Sequence, residues 1–262
     1  MLNISEKAKQ GLPLNDIEII DAHNHMGHFR EFNIPKNSAE GMLESMDSLG
    51  IDKCMVTHHA AAIGPDFKFG NDQVIEAVKR YPDRFMGYVT VNPHYSEEIV
   101  EELDRCFSVE GMKAIKIHPD YHQCSIDDSN YQDVYEYADA NKLPVLSHVW
   151  GLSQVEIINN LAKKYPNAIF IMGHGGAKAK AMEYAIEVMK KRENTVIDIA
   201  ISASPQGNIE WLVDQIGSKR LLFGSDMPFY DPSFTFGRLA LADISDEEKK
   251  DIFARNIKRI IK

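Results

Sequence analysis

The stretch IEIIDAHNH, residues 17–25, leads from a run of β-branched apolar residues directly into two histidines spaced one residue apart. An apolar run of this length is typical of a buried β-strand. Side chains at positions i and i+2 of a strand project to the same face, so His23 and His25 can point toward one site. Ten histidines in 262 residues would give roughly 0.4 such pairs by chance. The pair therefore needs support from the rest of the chain.

Similar apolar runs recur along the chain and alternate with segments of helical periodicity. The predicted strands cover residues 17–23, 53–59, 85–91, 112–118, 144–149, 168–174, 195–201 and 220–226. The predicted helices cover residues 38–50, 71–82, 96–107, 129–142, 153–166, 177–193, 208–217 and 245–262. Ser245 is expected to cap the last helix, because acidic residues fill the turn that follows it.

This alternation predicts a single (β/α)8 TIM barrel of the α/β class. Several strands are almost continuously apolar, as in parallel sheets covered by helices on the outside. Barrels of this type need about 250 residues, which matches the length of the chain. No linker, low-complexity segment or repeat divides it, so residues 1–262 are predicted to form one domain. A doubly wound open sheet is the alternative fold.

Composition excludes several classes of protein. Hydrophobic residues make up 44% and charged residues 26% of the chain, as in a soluble globular protein with a large core. A net charge of -10 without a basic stripe argues against a nucleic-acid partner, but it says little about a small-molecule substrate, because a local pocket can oppose the overall sign. Three cysteines without a paired pattern indicate a reducing, cytoplasmic setting. We find no signal peptide or membrane span, and a homo-oligomer is compatible with the sequence.

Metal-capable side chains gather where the predicted strands end. They are His23 and His25 on strand one, His58 and His59 on strand two, Lys116 and His118 on strand four, His148 on strand five, His174 on strand six and Asp226 on strand eight. In a (β/α)8 barrel these strand ends meet at the face that carries the active site. Imidazole nitrogen together with carboxylate oxygen suits zinc, and also manganese, iron or cobalt. The sequence therefore predicts a metal site at this face.

Local strings around these residues resemble a known family. They are AIKIHP (114–119), PVLSHV (144–149), MGHGGA (172–177), LLFGSDMPF (221–229) and FARNIKRII (253–261). In this order, and with the His-x-His pair on strand one, they are similar to the amidohydrolase superfamily. Within it they resemble the amidohydrolase-related (amidohydrolase 2) branch, which groups metal-dependent hydrolases with non-oxidative decarboxylases. The resemblance runs from about residue 17 to the C-terminus.

The resemblance implies a role for each site residue. His23, His25, His148 and Asp226 would hold one divalent ion, most simply zinc. His174 would be catalytic and polarise a substrate carbonyl, and Asp226 would double as the general base. One ion is favoured over two. In two-metal members of the wider superfamily a carboxylated lysine on strand four bridges the ions, and Lys116 is the candidate for that position.

Further residues are predicted to bind substrate. These are Lys116, His118, Arg30 and Trp150. A buried lysine amine needs an anionic partner, and arginine can bind a carboxylate. Of His58 and His59, which alternate faces, at most one can point inward. Asp198, in the middle of strand seven, is expected to orient a neighbouring side chain rather than to bind the metal.

Four functions are compatible with this site. The first is a metal-dependent hydrolase that uses a metal-activated water to cleave an amide, ester or lactone of a small, anionic molecule. The second is a non-oxidative decarboxylase, a lyase acting on an aromatic or unsaturated carboxylic acid. A TatD-type DNase is less favoured, because that family has a glutamate where strand four here carries Lys116. A barrel that has kept a metal without catalysis is the fourth, although its ligand set would be expected to show gaps.

Overall fold

Eight parallel strands form a sheet in which each strand pairs with the next one along the chain. The structure, a computed structural model, describes residues 2–31, 33–200 and 205–261. The strands are β1 Ile20–Met26, β2 Lys53–His58, β3 Phe85–Thr90, β4 Met112–Ile117, β5 Pro144–His148, β6 Ile169–Gly173, β7 Thr195–Asp198 and β8 Leu221–Leu222. The Ala22 amide donates to the Phe223 carbonyl at 2.8 Å, and the His25 amide donates to the Met227 carbonyl at 2.7 Å. These bonds join the first strand to the last, so the predicted TIM barrel is confirmed and the open doubly wound sheet is wrong.

Helices cover the outside of the barrel and its amino-terminal end. They are α1 Ile4–Lys9, α2 Ala39–Leu49, α3 His59–Ala62, α4 Phe67–Arg80, α5 Ile99–Phe107, α6 Pro119–His122, α7 Gln132–Asn141, α8 Leu152–Lys164, α9 Ala179–Lys191, α10 Asn208–Ile216, α11 Pro232–Leu241, α12 Asp246–Lys250 and α13 Asn256–Ile260. A π-helical turn at Asp251–Arg255 makes α12 and α13 continuous. Ser245 caps α12 in a capping box with Glu248, as predicted. No helix in the described part of the chain has the length and apolar character needed to cross a bilayer.

The core has two layers. Apolar side chains inside the barrel form the inner layer, and those between the strands and the helices form the outer one. The inner layer is Ile20, Ala22, Met55, Tyr88, Ala114, Leu146, Ile171, Val196 and Leu222, joined by Ala254 and Ile257. The last two belong to the C-terminal helical segment, which therefore closes the amino-terminal end of the barrel. Apolar side chains on both strand faces explain why the strand segments read as nearly continuous apolar runs.

Some boundaries and elements differ from the predictions. Strand β1 lies three residues later than predicted, because a register shift between Asp21 and Asn24 extends it through both histidines. Strand β8 is only two residues long, because the chain turns at Asp226, whose φ is +62°. Strand β7 ends at Asp198, and residue 201, the last of its predicted segment, lies outside the described residues. The helices α1, α3, α6 and α11 were not predicted. The helices α3 and α6 have only four residues each, and α1 and α11 are additional to the eight strand–helix pairs.

Candidate active site

Strand β1 brings His23 and His25 to the carboxyl-terminal end of the barrel. Both side chains are buried, and their ring centroids lie 5.3 Å apart. Gly224 of the neighbouring segment makes room for the first ring, since a Cβ added there would lie 2.9 Å from the Cβ of His23. The sequence pattern predicted that these two rings would face one site, and the geometry places them side by side.

Asp226 completes a group of three possible metal ligands with these histidines. One ligand atom from each of His23, His25 and Asp226 lies within 4.8 Å of the other two. The Oδ1 atom of Asp226 is 3.0 Å from His25 Nε2 and 3.9 Å from His23 Nε2. Two ligands bound tetrahedrally at about 2.1 Å from one ion stand about 3.4 Å apart, between these two distances.

The Asp226 carboxylate carries a negative charge within this group. Burial alone would raise its pKa, but His25, His23 and His174 around it hold the pKa of Asp226 well below its ordinary value. No described residue donates a well-oriented hydrogen bond to its Oδ1 atom, although that atom is buried. A buried anionic oxygen without a donor is costly, and a cation would satisfy it.

A buried hydrogen-bond network ties the Asp226 turn to β1. Asn24 lies between the two histidines and accepts a hydrogen bond from Ser225 Oγ at 3.1 Å. The Asp21 carboxylate accepts hydrogen bonds from the backbone amides of Ser225 at 3.0 Å and His23 at 3.3 Å. The Asp226 amide donates to the His23 carbonyl at 2.9 Å. These bonds hold Asp226 in a left-handed conformation that is unfavourable for a residue with a side chain.

Asp198 sets the tautomer of His23. Its Oδ2 atom lies 3.0 Å from His23 Nδ1, and its Oδ1 atom accepts the backbone amides of His174 at 2.9 Å and Ala200 at 3.1 Å. The carboxylate is therefore fully engaged and orients His23 with Nε2 toward Asp226. A carboxylate behind a histidine is the common arrangement for a metal-ligating imidazole. Asp198 also belongs to a second group of metal-capable atoms with His23 and His174, but its contacts favour orientation over ligation.

His174 and His148 lie against each other beside this group. His174 Nδ1 donates to the Ala200 carbonyl, so its Nε2 atom accepts a hydrogen bond from His148 Nδ1 at 3.1 Å. The other ring nitrogen of His148 is 3.5 Å from Asp120 Oδ2. Burial lowers the pKa of both histidines, so both rings are neutral near pH 7. His148 is not in the three-residue group that contains Asp226. Its assignment as a fourth ligand stays a prediction.

Lys116 is buried at the base of the site. Its Nζ atom donates to His23 Nε2 at 2.8 Å. Burial lowers the pKa of Lys116 to about 8, with Asp226 and Asp198 opposing that shift. The amine is therefore still mainly protonated at pH 7. Because the amine contacts His23 Nε2, it must withdraw from that nitrogen for His23 to bind an ion.

A cavity of about 390 Å³ opens above these residues. Its polar walls are His25, His118, His148, His174 and Asp226. Its aromatic walls are Phe29, Tyr121, Trp150, Phe229 and Tyr230. Two carboxylates, Glu31 and Asp120, complete the lining. The His148 ring lies stacked with His118 at 4.1 Å and with Trp150 at 5.6 Å. The cavity is therefore shaped for a planar, partly apolar molecule.

The remaining predicted residues divide between the cavity and the surface. His118 and Trp150 line the cavity, whereas the side chain of Arg30 is 71% exposed and lies beside Glu31. His59 is buried with its ring stacked on His25, and His58 faces a separate crevice against α4. One of these two histidines thus points inward, as the alternation predicted.

Several cavity residues carried no signal in the sequence. Glu31, Asp120 and Phe29 lie on loops or at a helix start, where no periodicity indicates which way a side chain points. Phe229 lies inside the string LLFGSDMPF, but the string alone does not show that its ring enters the cavity. These positions depend on loop conformation.

Comparison with protein families supplies the decisive observation. Residues 20–262 match the profile of the Amidohydrolase family. The chain belongs to this family. The family match covers the His-x-His strand, the Asp226 turn and the residues between them, so the donor group described above lies within the matched region.

Curated relatives of this amidohydrolase are distant in sequence. It is 19% identical to 2-amino-3-carboxymuconate-6-semialdehyde decarboxylase of Dictyostelium discoideum over 230 residues, covering 71% of the chain and 63% of that protein. It is 23% identical to 2-keto-4-carboxy-3-hexenedioate hydratase of Sphingobium sp. over 244 residues, covering 72% of the chain and 69% of that protein. Both relatives are lyases rather than hydrolases by name.

Solved structures share the fold of this amidohydrolase. The 5-carboxyvanillate decarboxylase of Novosphingobium aromaticivorans, complexed with manganese and a nitrobenzoic acid, superposes with a TM-score of 0.75. The match covers 94% of the chain and 96% of that structure at 16% sequence identity. At this identity the likeness establishes the barrel, and the chemistry has to be argued from the site.

Proposed function

We propose that this protein is a metal-dependent lyase that removes carbon dioxide from a planar aromatic or unsaturated carboxylic acid. The proposal rests on two features that occur together in one cavity. The His23, His25 and Asp226 group lies at the base, and flat rings, including Trp150 and Phe229, line the walls. A flat acid can place its carboxylate at the base while its ring packs between the aromatic side chains. The two curated relatives favour a lyase over the hydrolase that was first expected.

A divalent cation fits the donor set. His23 Nε2, His25 Nε2 and Asp226 Oδ1 would hold it, with His148 as the predicted fourth ligand. The orphaned, buried Oδ1 atom of Asp226 supports this assignment. Such an ion supplies positive charge that binds an acid or carbonyl oxygen and stabilises the negative charge that develops during reaction. The donor types suit zinc and manganese equally well.

The protein side chains supply the proton transfers. Asp226 is ionised, so it can accept the proton of a hydroxyl group on the bound acid, whose carboxyl group is itself ionised near neutral pH. The bond between the carboxyl carbon and the substrate then breaks, carbon dioxide leaves, and the electron pair stays on the substrate carbon. Asp226 returns the proton to that carbon. The charged amine of Lys116 lies at the base and adds to the attraction for the acid group.

Hydrolysis is a second candidate with its own supporting observation. The ionised Asp226 carboxylate can also take a proton from water, and an attack by that water on an amide, ester or lactone would follow. The acidic side chains of Glu31 and Asp120 at the cavity mouth give no attraction for a phosphodiester backbone. We therefore propose a small-molecule substrate and not a nucleic acid.

Product analysis separates the two reactions. The protein is loaded with manganese or zinc and incubated in ¹⁸O-labelled water with a panel of ¹³C-carboxyl-labelled aromatic and unsaturated acids, and with lactones and amides. We expect labelled carbon dioxide in a one-to-one ratio with a product that has lost one carboxyl group. Asp226→Asn is the control and should abolish the reaction. A product that keeps every carbon and carries ¹⁸O would replace the lyase with the hydrolase.

A further inference from the structure

The active-site cavity has ends of opposite charge. At its base lies the predicted cation site, with the Nζ atom of Lys116 2.8 Å from His23 Nε2. At its mouth lie two carboxylates, Glu31 and Asp120, with side chains that are 55% and 53% exposed. Aromatic side chains also line the cavity, and Asp120 Oδ2 lies 3.5 Å from Nε2 of His148, the predicted fourth ligand. A bound molecule that extends from base to mouth therefore meets attraction for negative charge at one end and repulsion at the other.

Each of the two mouth carboxylates has a neutral or an exposed hydrogen-bond or ion-pair partner. Asp120 Oδ1 accepts a hydrogen bond from Gln154 Nε2 at 2.9 Å, and this neutral amide orients the carboxylate without cancelling its charge. Glu31 lies 3.8 Å from Arg30 Nε, in a pair where both side chains are more than half exposed. Exposed pairs of this kind are weak and leave both partners solvated. Among the described residues that line the cavity, none is a lysine or an arginine.

We infer that the cavity selects substrates with a single acid group, held at the base, and with an uncharged far end. This inference rests on the proposed function, since it assigns the acid group to the base of the site. It sets this chain apart from the relatives named above. Their substrates, by name, are a carboxymuconate semialdehyde, a carboxyhexenedioate and a carboxyvanillate, each with more than one acid group.

A matched pair of ligands tests the inference by binding alone. Vanillate and 5-carboxyvanillate differ by one carboxylate, and their dissociation constants for the manganese-loaded protein can be measured by titration calorimetry. We expect the wild type to bind vanillate more tightly. In a Glu31→Gln/Asp120→Asn variant, 5-carboxyvanillate should gain about tenfold to a hundredfold in affinity, while vanillate changes less than about threefold. The gain should shrink as salt is added, because exposed charges are screened.

A control variant removes the same amount of charge elsewhere. Asp83→Asn/Glu110→Gln alters two exposed carboxylates just before β3 and β4, at the opposite end of the barrel. It should leave both dissociation constants unchanged. An Arg30→Gln variant asks whether that arginine binds a second acid group. We expect the Arg30→Gln variant to bind vanillate more tightly than 5-carboxyvanillate, as the wild type does.

Three results would overturn the inference. They are tighter binding of 5-carboxyvanillate than of vanillate by the wild type, an unchanged ratio in the mouth variant, and failure of both acids to bind. Turnover of a dicarboxylate with an unchanged ratio would leave the proposed lyase standing while removing the charge selection. A changed ratio of the two dissociation constants, without release of carbon dioxide from any acid, would support the charge selection and contradict the proposed lyase.

Discussion

The two ends of the barrel are built on different principles. At the amino-terminal end, apolar side chains such as Leu222 and Ile257 fill the interior and have no polar atoms to satisfy. At the carboxyl-terminal end, His23, Lys116 and Asp226 are equally buried but bring charge and unpaired polar atoms into the same barrel. The first arrangement stabilises the fold, and the second costs stability.

Backbone strain is found at the carboxyl-terminal end as well. Asp226 and His174, both at the carboxyl-terminal end, have positive φ angles of 62° and 61° in spite of their side chains. The Asp226 amide donates to the His23 carbonyl of β1, and the His174 amide donates to the Asp198 carboxylate of β7. Strain of this kind persists at functional sites, where surrounding structure fixes it and the reaction benefits from the geometry. The amino-terminal end of the barrel therefore stabilises the fold, and the carboxyl-terminal end carries the residues of the candidate active site.

The largest expected effect is on stability, from the amino-terminal end. Ile257→Ala removes buried methylene and methyl groups from the inner layer, and we expect the free energy of unfolding to fall by about 2–5 kcal/mol. Ile257→Val is the matched control, with an expected loss of about 0.5–1.5 kcal/mol. Urea denaturation measures both. Metal affinity of the folded variants should match that of the wild type, and a parallel loss of affinity would show that the two ends are not separable.

A buried histidine outside the metal group should make stability depend on pH. Burial lowers the pKa of His122 to about 4, while its ring contacts the Tyr131 hydroxyl at 2.9 Å and the Ala61 carbonyl at 3.2 Å. Between its unfolded pKa near 6.5 and the folded value, the unfolded chain binds a proton that the folded chain does not. Stability is therefore lost as the pH falls through this range.

For this histidine we expect a loss of about 2 kcal/mol between pH 7 and pH 5. His122→Gln keeps one donor and one acceptor but does not titrate, so that part of the pH dependence should vanish. Denaturation curves at the two pH values measure the difference between wild type and variant. Identical pH dependence in the two proteins would show that His122 is protonated in the folded state.

The next effect is on metal affinity, at the carboxyl-terminal end. In Asp198→Asn an amide replaces the oxygen beside His23 Nδ1, so the proton of that ring moves to Nε2, the nitrogen that would bind the ion. We expect metal affinity to fall by about 10–100-fold, measured by competition with a chelating dye. Asp139→Asn is the control, because its carboxylate also accepts two backbone amides but contacts no histidine. Equal metal affinities of the Asp198→Asn and Asp139→Asn variants would show that Asp198 does not orient His23.

The smallest expected effect is on stability, from a surface residue with a strained backbone conformation. Lys142 follows α7 on the surface with a φ of +56°, a conformation that glycine adopts without cost. Lys142→Gly should raise the free energy of unfolding by about 0.5–1 kcal/mol. Neither metal affinity nor turnover should change. A gain in stability accompanied by weaker metal binding would contradict the separation of the two ends.

The barrel could be predicted because its signal lies in local periodicity. All eight strands appear within the predicted segments or beside them, since an apolar run and a strand-ending polar residue are visible in the sequence. The first and last residues of the strands were predicted less accurately than their presence. The register shift in β1 and the early turn in β8 depend on hydrogen bonds between Asp21, Asn24 and Ser225, residues far apart in the chain. A single strand does not reveal them.

The site could be predicted only in part. His23, His25 and Asp226 come together because parallel strands end at one face, which is a property of the fold. The contact of Lys116 with His23, and the acidic mouth formed by Glu31 and Asp120, depend on side-chain and loop geometry. No spacing rule indicates them. The acidic side chains at the cavity mouth, on which the proposed substrate preference rests, are therefore visible only in the structure.

The most direct test of this account is the metal content of the protein. Wild type, His23→Ala/His25→Ala and the Asp139→Asn control are incubated with manganese or zinc, freed of excess metal by gel filtration and analysed by mass spectrometry. The account predicts about one ion per chain in the wild type and the control, and none in the double variant. A wild type that retains no metal, or a double variant that retains it, would contradict the central claim that His23, His25 and Asp226 form the metal site.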